Sequence, residues 1–374
     1  MNKPRKVSLG DLISLRRGYD LTKQEMQGGQ IPVVGSNGII GFHNVSNVSS
    51  PCLTVGRSGT VGIPHIYKTD CWAHNTCLYV EDFKGNEPDY IYYLLKVLKL
   101  EKMASSTGVP TLNRNFVHPL SVVAYSSRAI QRCIAQVLLL LDKKISLNDS
   151  INTSLEKIAK TLYDYWFVQF DFPDENKRPY KSSGGKMVYN EVLKREIPEG
   201  WTSASLNNIC LMYQPQTIGT DQLLPNGKFY VYGANGIIGK YDQYNHVESE
   251  IAVACRGNSC GVVNRTLMKS WITGNAMVVQ MKDKTIHNEY LYQMLKCINI
   301  KRIVTGSGQP QITRANLAPI QVSKPHQDLL LKYSALVASN VTERLRNELE
   351  NQKLAELRDF LLPMLMNGQV SVKS

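Results

Sequence analysis

Residues 130–166, IQRCIAQVLLLLDKKISLNDSINTSLEKIAKTLYDYW, limit the possible folds of this chain more than any other stretch. Steps alternating between four and three visit Ile130, Ile134, Val137, Leu141, Lys144, Asn148, Ile151, Leu155, Ile158, Leu162 and Tyr165, and only Lys144 and Asn148 lack an apolar body. A 3.5-residue repeat held over about five heptads is the mark of a coiled-coil seam. No Pro or Gly interrupts it, so at roughly 1.5 Å per residue the segment predicts a continuous helix of about 55 Å. A helix of that length with an apolar stripe needs a partner of similar length, from this chain or from another protein.

The 374 residues suffice for two or three domains, and 43% hydrophobic with 20% charged residues is the composition of a soluble protein with proper cores. The longest apolar run near the seam, 137–141, is far too short to span a bilayer, and MNKPRKVSLG lacks the apolar stretch of a secretory signal. A cytoplasmic location without membrane contact is therefore expected. Eight cysteines, at Cys52, Cys71, Cys77, Cys133, Cys210, Cys255, Cys260 and Cys297, form no CxxC pair, which favours reduced thiols over disulfides or zinc. The net charge of +12 points to a polyanionic partner, nucleic acid being the commonest, against the plainer reading of a merely basic protein.

Taken in order, LGDLISL (9–15) is apolar and periodic. IPVVGSNGIIGFHN (31–44) reads as strand, glycine loop and strand, LTVGRSGTVG (53–62) repeats that pattern, and CWAHNTCLYVEDF (71–83) predicts another pair of strands. PDYIYYLLKVLKLEKMASS is helical to about Met103, and TGVPTLNRNFVHPLSVV turns into a last strand ending near Val123. About 200 residues later the same order returns. Six of the seven positions 35–41 recur at 233–239, with Gly35, Asn37, Gly38, Ile39, Ile40 and Gly41 matching Gly233, Asn235, Gly236, Ile237, Ile238 and Gly239. Arg57 falls on Arg256, Asn75 on Asn275, Tyr90 on Tyr290, TGVPTLNR (107–114) on SGQPQITR (307–314), and Pro119 on Pro319.

The second copy is also followed by a helical stretch, predicted to stop before Pro363, with Leu330, Tyr333, Val337, Val341, Leu345, Leu354, Leu357 and Leu361 on its apolar side and Glu348 and Gln352 interrupting it. It supplies the missing partner. An antiparallel pair would set the two globular copies at opposite ends, related by a pseudo-twofold axis. A parallel pair would require the polar, turn-rich connector 171–200 to run back about 55 Å, which its length permits if extended.

Two globular copies in tandem, each followed by a long helix, resemble the specificity (S) subunit of a Type I restriction-modification enzyme. The residues carrying the resemblance are LDKKISLNDSINTSLEKIAKTLYDYWFVQFDFP (141–173), IPEGW (197–201) and LRDFLLPMLMNGQV (357–370), together with the doubled NGIIG loop and G-x-P turn. The first copy departs from the pattern by beginning at KPRKVSLGDLISL without an IPEGW-like lead-in. The resemblance implies a chain without catalytic residues. In it, two target recognition domains each read half of a split double-stranded DNA sequence, and two helices form a spacer that seats two adenine-methylating modification subunits. Restriction subunits are expected to join them. S-adenosylmethionine, ATP and Mg are expected in those partners and no cofactor in this chain. The expected class is α+β, with two homologous α/β domains separated by two long antiparallel coiled-coil helices. The divisions are 1–125 for the first recognition domain, 126–170 for the central helix, 171–325 for linker and second domain, and 326–374 for the C-terminal helix.

Candidate DNA contacts follow from side-chain chemistry. Ser36, Asn37 and Gly38, with Ala234, Asn235 and Gly236, form loops whose glycines allow close backbone approach and whose Asn could pair with adenine, although Asn-Gly is also the commonest hairpin turn. Arg57 and Ser58, and Arg256 and Asn258, could grip guanine or phosphate or simply be solvated. Thr107 and Arg114, and Ser307, Gln309 and Arg314, could serve phosphates or merely turn into a strand. On the helices Ile130, Ile134, Val137, Leu141, Ile151, Leu155, Ile158 and Leu162, with Leu345, Leu354, Leu357 and Leu361, are candidates for spacer or subunit docking, and Lys144 and Asn148 either set register or face a modification subunit.

No GxxxxGK[ST] is present, and no Asn or Asp precedes a Pro-Pro pair as in amino-methyltransferases. Asp174, Glu175 and Lys177 imitate a nuclease motif, but their carboxylates are adjacent in a polar linker. The histidines have no metal spacing. The reading reached is a DNA reader of an asymmetric two-part target. A methyltransferase or nuclease with an unrecognised site, and a coiled-coil scaffold without a DNA role, are the alternatives.

Overall fold

The computed structural model describes residues 3–26, 28–103, 110–225, 227–306 and 308–372. The chain divides into two compact units, residues 1–147 with 350–374, and residues 148–349.

In the first unit β1 (Arg5–Ser8) leads into the helical turn α1 (Leu9–Leu12), whose start is closed by reciprocal bonds between Ser8 and Asp11. The chain continues through β2 (Ser14–Arg17), β3 (Ile31–Gly35), β4 (Gly38–His43), β5 (Cys52–Gly56), β6 (Pro64–Tyr67), β7 (Trp72–Ala73) and β8 (Cys77–Asp82). Helix α2 (Pro88–Leu98), the turn α3 (Arg114–Val117) and β9 (Ser121–Ala124) complete the globular part. Three sheets result, with orders β1-β9, β2-β8-β5-β6 and β4-β3-β7. β5 is buried along its whole length because it is an inner strand, and CLTVG accordingly shows no polar alternation.

The second unit repeats this plan. After a hairpin of β10 (Met187–Asn190) and β11 (Arg195–Pro198) come β12 (Thr202–Ser205), β13 (Cys210–Tyr213), β14 (Phe229–Gly233), β15 (Gly236–Tyr241), β16 (Ile251–Ala254), β17 (Val263–Arg265), β18 (Trp271–Ile272), β19 (Ala276–Met281) and β20 (Gln321–Lys324). Their orders, β12-β20, β13-β19-β16-β17 and β15-β14-β18, match those of the first unit strand for strand. The protein is thus a mixed helix and sheet protein with one domain fold used twice.

The long helices run Arg128–Tyr163, extended by a π-helical turn Asp164–Val168, and Gln327–Met366. The second does not stop before Pro363. A proline in the last turn forfeits only one hydrogen bond, and Leu362, Leu365 and Met366 are buried in the first unit's core, holding that turn in place. Within each unit the two helices meet with opposite chain directions. In the first, Arg358 donates to Asp142 at 2.7 Å and Lys144 lies 3.1 Å from Glu350. In the second, Asn347 donates to Asn152 at 3.0 Å and the Tyr333 hydroxyl to the Ala159 carbonyl at 3.2 Å.

The buried stripe of the first helix follows the expected seam at Ile134 and Asn148 and leaves it elsewhere. Gln131, Ile134, Ala135 and Leu138, then Asn148, Ala159 and Tyr163, are buried, whereas Ile151 and Ile158 are exposed, as is Leu357 on the second helix. The cause is that the ends of the helix pack into globular cores rather than against the other helix alone. Ile130, Val137, Leu141, Leu155, Leu162, Leu345, Leu354 and Leu361 are half-buried. The connector 171–200 is not an extended tether. Phe172 stacks between Tyr180 and Trp201, and Asp171 accepts bonds from the Ser182 backbone and hydroxyl, both at 2.7 Å. These aromatic residues bring the segment onto the second unit's core.

Candidate nucleic-acid interface

The first unit's β3–β4 hairpin closes through Ser36 and Asn37 between the paired residues Gly35 and Gly38. Gly38 has a φ of 98°, which only glycine adopts without strain. Asn37 is exposed at the tip. Beside it lies the turn that follows β5. A Cβ on Gly56 would sit 2.9 Å from the Ser36 carbonyl oxygen and 1.9 Å from that of Thr60, so only glycine lets these two turns touch. The fold thereby brings together two motifs that stand twenty residues apart in the sequence.

Arg57 is held by its backbone. Its N–H donates to the Thr76 carbonyl at 2.8 Å, and its carbonyl accepts from Leu112 at 2.8 Å. The guanidinium spends one N–H on the Asn75 carbonyl at 3.3 Å, which leaves its remaining donors for a partner. Ser58 bridges to Thr111. Near Gly38, burial depresses the His65 imidazole below its usual pKa and pushes the Tyr67 hydroxyl up to about 12. Arg16 and Arg17 on β2 are both paired with carboxylates, Arg16 with Glu81 at 2.6 Å, so Arg57 is the cation of this turn without a carboxylate partner among the ion pairs of the described residues.

Arg17 lies 3.6 Å from Asp20, which also accepts a bond from the Asn75 side chain, and the Arg16 guanidinium lies 5.7 Å over the Tyr19 ring. Arg16, Arg17 and Tyr19 are not among the residues that the sequence motifs single out. Their signal in the sequence is the run RRGYD, basic and aromatic at the end of a strand.

In the second unit Ala234 and Asn235 form the same two-residue loop between Gly233 and Gly236, the latter at φ 81° with open space around it. Arg256 and Asn258 are exposed. Arg256 bridges to Gln311, and the Gly257 N–H donates to the Pro310 carbonyl at 3.0 Å. Gln309 is exposed, and its carbonyl oxygen lies 2.4 Å from where a Gly306 Cβ would stand. Arg114 and Arg314 are exposed but turn toward their own domains, Arg114 to the Leu15 carbonyl at 3.4 Å and Arg314 to the Asn207 side chain at 3.5 Å. Thr107 and Ser307 lie outside the described residues.

Asp174, in the nuclease-like run, accepts backbone bonds from Asn176 and Arg178, both at 2.8 Å, and so serves as a turn cap. No helix among the described residues is long and apolar enough to cross a membrane.

What this arrangement offers is a pair of exposed, glycine-shaped turns per domain, carrying amide and guanidinium donors on a basic chain. A family model described as Type I restriction modification DNA specificity domain matches the chain twice, over residues 2–157 and 198–358. The Type I restriction enzyme MjaIX specificity subunit of Methanocaldococcus jannaschii is 24% identical over 315 residues, covering 77% of this chain and 70% of the relative. The HindI specificity subunit of Haemophilus influenzae is 22% identical over 368 residues, covering 76% and 77%. Among solved structures, the crystal structure of the Type-I restriction-modification system S subunit from M. genitalium shares the fold, with a TM-score of 0.63, 19% identity and coverage of 97% of this chain and 96% of that one. The doubled fold and the doubled family match coincide, and the chain belongs to the Type I restriction-modification DNA specificity family, recognising DNA sequence as the specificity subunit of such a system.

Proposed function

We propose that the chain reads an asymmetric, two-part duplex target, one half-site per domain, and performs no chemistry itself. Its domains 1–125 and 171–325 are the readers. Helices 126–170 and 326–374 form an antiparallel, pseudo-twofold spacer that fixes the unread gap and seats two adenine-methylating subunits, to which restriction subunits can be added. S-adenosylmethionine, ATP and Mg belong to those partners, and the complex works in the cytoplasm.

The observation that carries this reading is one fold used twice with unlike reading turns, Arg57-Ser58-Gly59-Thr60 against Arg256-Gly257-Asn258-Ser259. Equal frames with different side chains suit two different half-sites. The opposite chain directions of the helix contacts in each unit support the spacer. The docking role is supported by apolar side chains left in solvent on the first helix, Leu140, Leu147, Ile151, Ile158 and Tyr165, at heptad-like intervals.

The test is to assemble the chain with its methylating subunits and map the methylated sites. Arg57→Ala should relax one half-site and Arg256→Ala the other, each by about 1–3 kcal/mol of discrimination at one position. Substitutions that alter both halves together, or neither, would overturn the reading. So would methyl transfer to DNA by this chain alone from labelled S-adenosylmethionine.

A further inference from the structure

The two hairpin tips have a property that half-site reading does not use. We propose that the isoleucine pairs Ile39–Ile40 and Ile237–Ile238 are a sequence-independent apolar grip on the DNA duplex, made once by each domain. The proposal rests on each domain facing one half of the target.

All four side chains stand in solvent, with relative exposures of 50% and 47% in the first unit and 50% and 38% in the second. The first isoleucine of each pair is paired across the hairpin and the second is the extra residue of a bulge, where strand alternation lapses, so both present apolar surface that their own domain leaves uncovered. Exposed apolar groups repeated at matched positions mark a surface that is covered in use.

The two tips also share their backbone. Each has its register shift at the same place, between Val33 and Val34 and between Val231 and Tyr232. In each, the second isoleucine lies across a glycine, its Cγ2 3.0 Å from where a Cβ on Gly35 or Gly233 would be. The pairs are thus the same residues in the same pose.

Unlike the Arg57 and Arg256 guanidiniums, the isoleucine side chains carry no donor or acceptor with which to read a base edge. What they touch is chemically the same in both halves, and in a duplex that is the sugar–phosphate frame, whose sugar faces accept apolar contacts from groove-entering side chains. Discrimination is left to the turns that differ. In the first unit the tip faces whatever the Arg57 turn faces, since a Cβ on Gly59 would lie 3.7 Å from the Ser36 hydroxyl oxygen. That adjacency favours DNA over a protein partner as the occupant.

The experiment measures binding of the full chain to its mapped target duplex and to a scrambled duplex at one fixed salt concentration. Ile39→Ser with Ile40→Ser, and separately Ile237→Ser with Ile238→Ser, should each weaken both duplexes by about tenfold and leave their ratio unchanged. Replacing the same pairs by leucine should keep the affinity near that of the parent. A fall in the target-to-scrambled ratio would make the pair a base reader and overturn the proposal. Unchanged DNA affinity would also overturn it, whether or not binding of a methylating subunit is lost, and so would leucine variants as weak as the serine ones. Failure of the half-site reading is separate: it appears in Arg57→Ala and Arg256→Ala, whatever the isoleucine variants do.

Discussion

Arg265→Leu is the sharpest test of how the second domain is held to its helices. The Arg265 side chain is 13% exposed and pairs with Glu289, whose side chain is 2% exposed. Glu289 also accepts from Gln293 at 2.7 Å, and the Arg265 guanidinium lies 3.3 Å over the Tyr292 ring and 3.9 Å from Glu156 on the first long helix. Burial raises the Glu289 pKa, and the Arg265 charge is the largest influence holding it down. Removing Arg265 leaves a buried carboxylate with one neutral partner, which costs about 3–5 kcal/mol. For a unit of this size that lowers the midpoint by on the order of 10 °C.

Acidification should return part of the loss. With Arg265 gone, the folded-state pKa of Glu289 lies further above its unfolded value, so the folded state binds the proton more tightly and stability falls as pH rises through that pKa. The deficit should be largest at pH 8 and shrink toward pH 5. Three of the four tryptophans, Trp166, Trp201 and Trp271, are buried within residues 148–349, so in a Trp72→Phe background tryptophan emission during urea unfolding reports this unit. Arg265→Leu with Glu289→Leu should recover most of the stability, because a well-packed apolar pair avoids the desolvation penalty. A single variant that loses less than about 1 kcal/mol, with no dependence on pH, would refute the reasoning.

Two further outcomes are expected. Burial pushes Glu348 up to about 7, with Arg265 opposing and Glu156 adding to the rise, so its ionisation costs stability as pH climbs from the usual carboxylate range through 7. Glu348 also lies 3.8 Å from the buried Arg344, a pairing that Glu348→Gln removes, so the expected outcome is a shallower fall of the midpoint between pH 5 and 8 than in the parent, as thermal melts would show. Ile158 is 53% exposed, and Ile158→Asp should weaken capture of the methylating subunits by about tenfold without altering the melting temperature; equal capture would remove this face from the docking surface.

The duplication, the two long helices and the DNA-binding class were written in the sequence, because glycine turns and heptad periodicity are local signals that need no tertiary context. NGIIG repeated at 35–41 and 233–239 fixed the repeat, and the repeat implied equal folds. Which side of the first helix is buried was decided by tertiary structure. A 3.5-residue count cannot foresee that Ala135, Leu138, Ala159 and Tyr163 enter globular cores while Ile151 and Ile158 remain outside. The same holds for the helix that continues through Pro363 and for the connector folded around Phe172, Tyr180 and Trp201, where long-range packing outweighs local preference. The meeting of the Ser36 and Thr60 turns at Gly56 is likewise a matter of space: only the folded chain shows which backbone lies where a Cβ would have been.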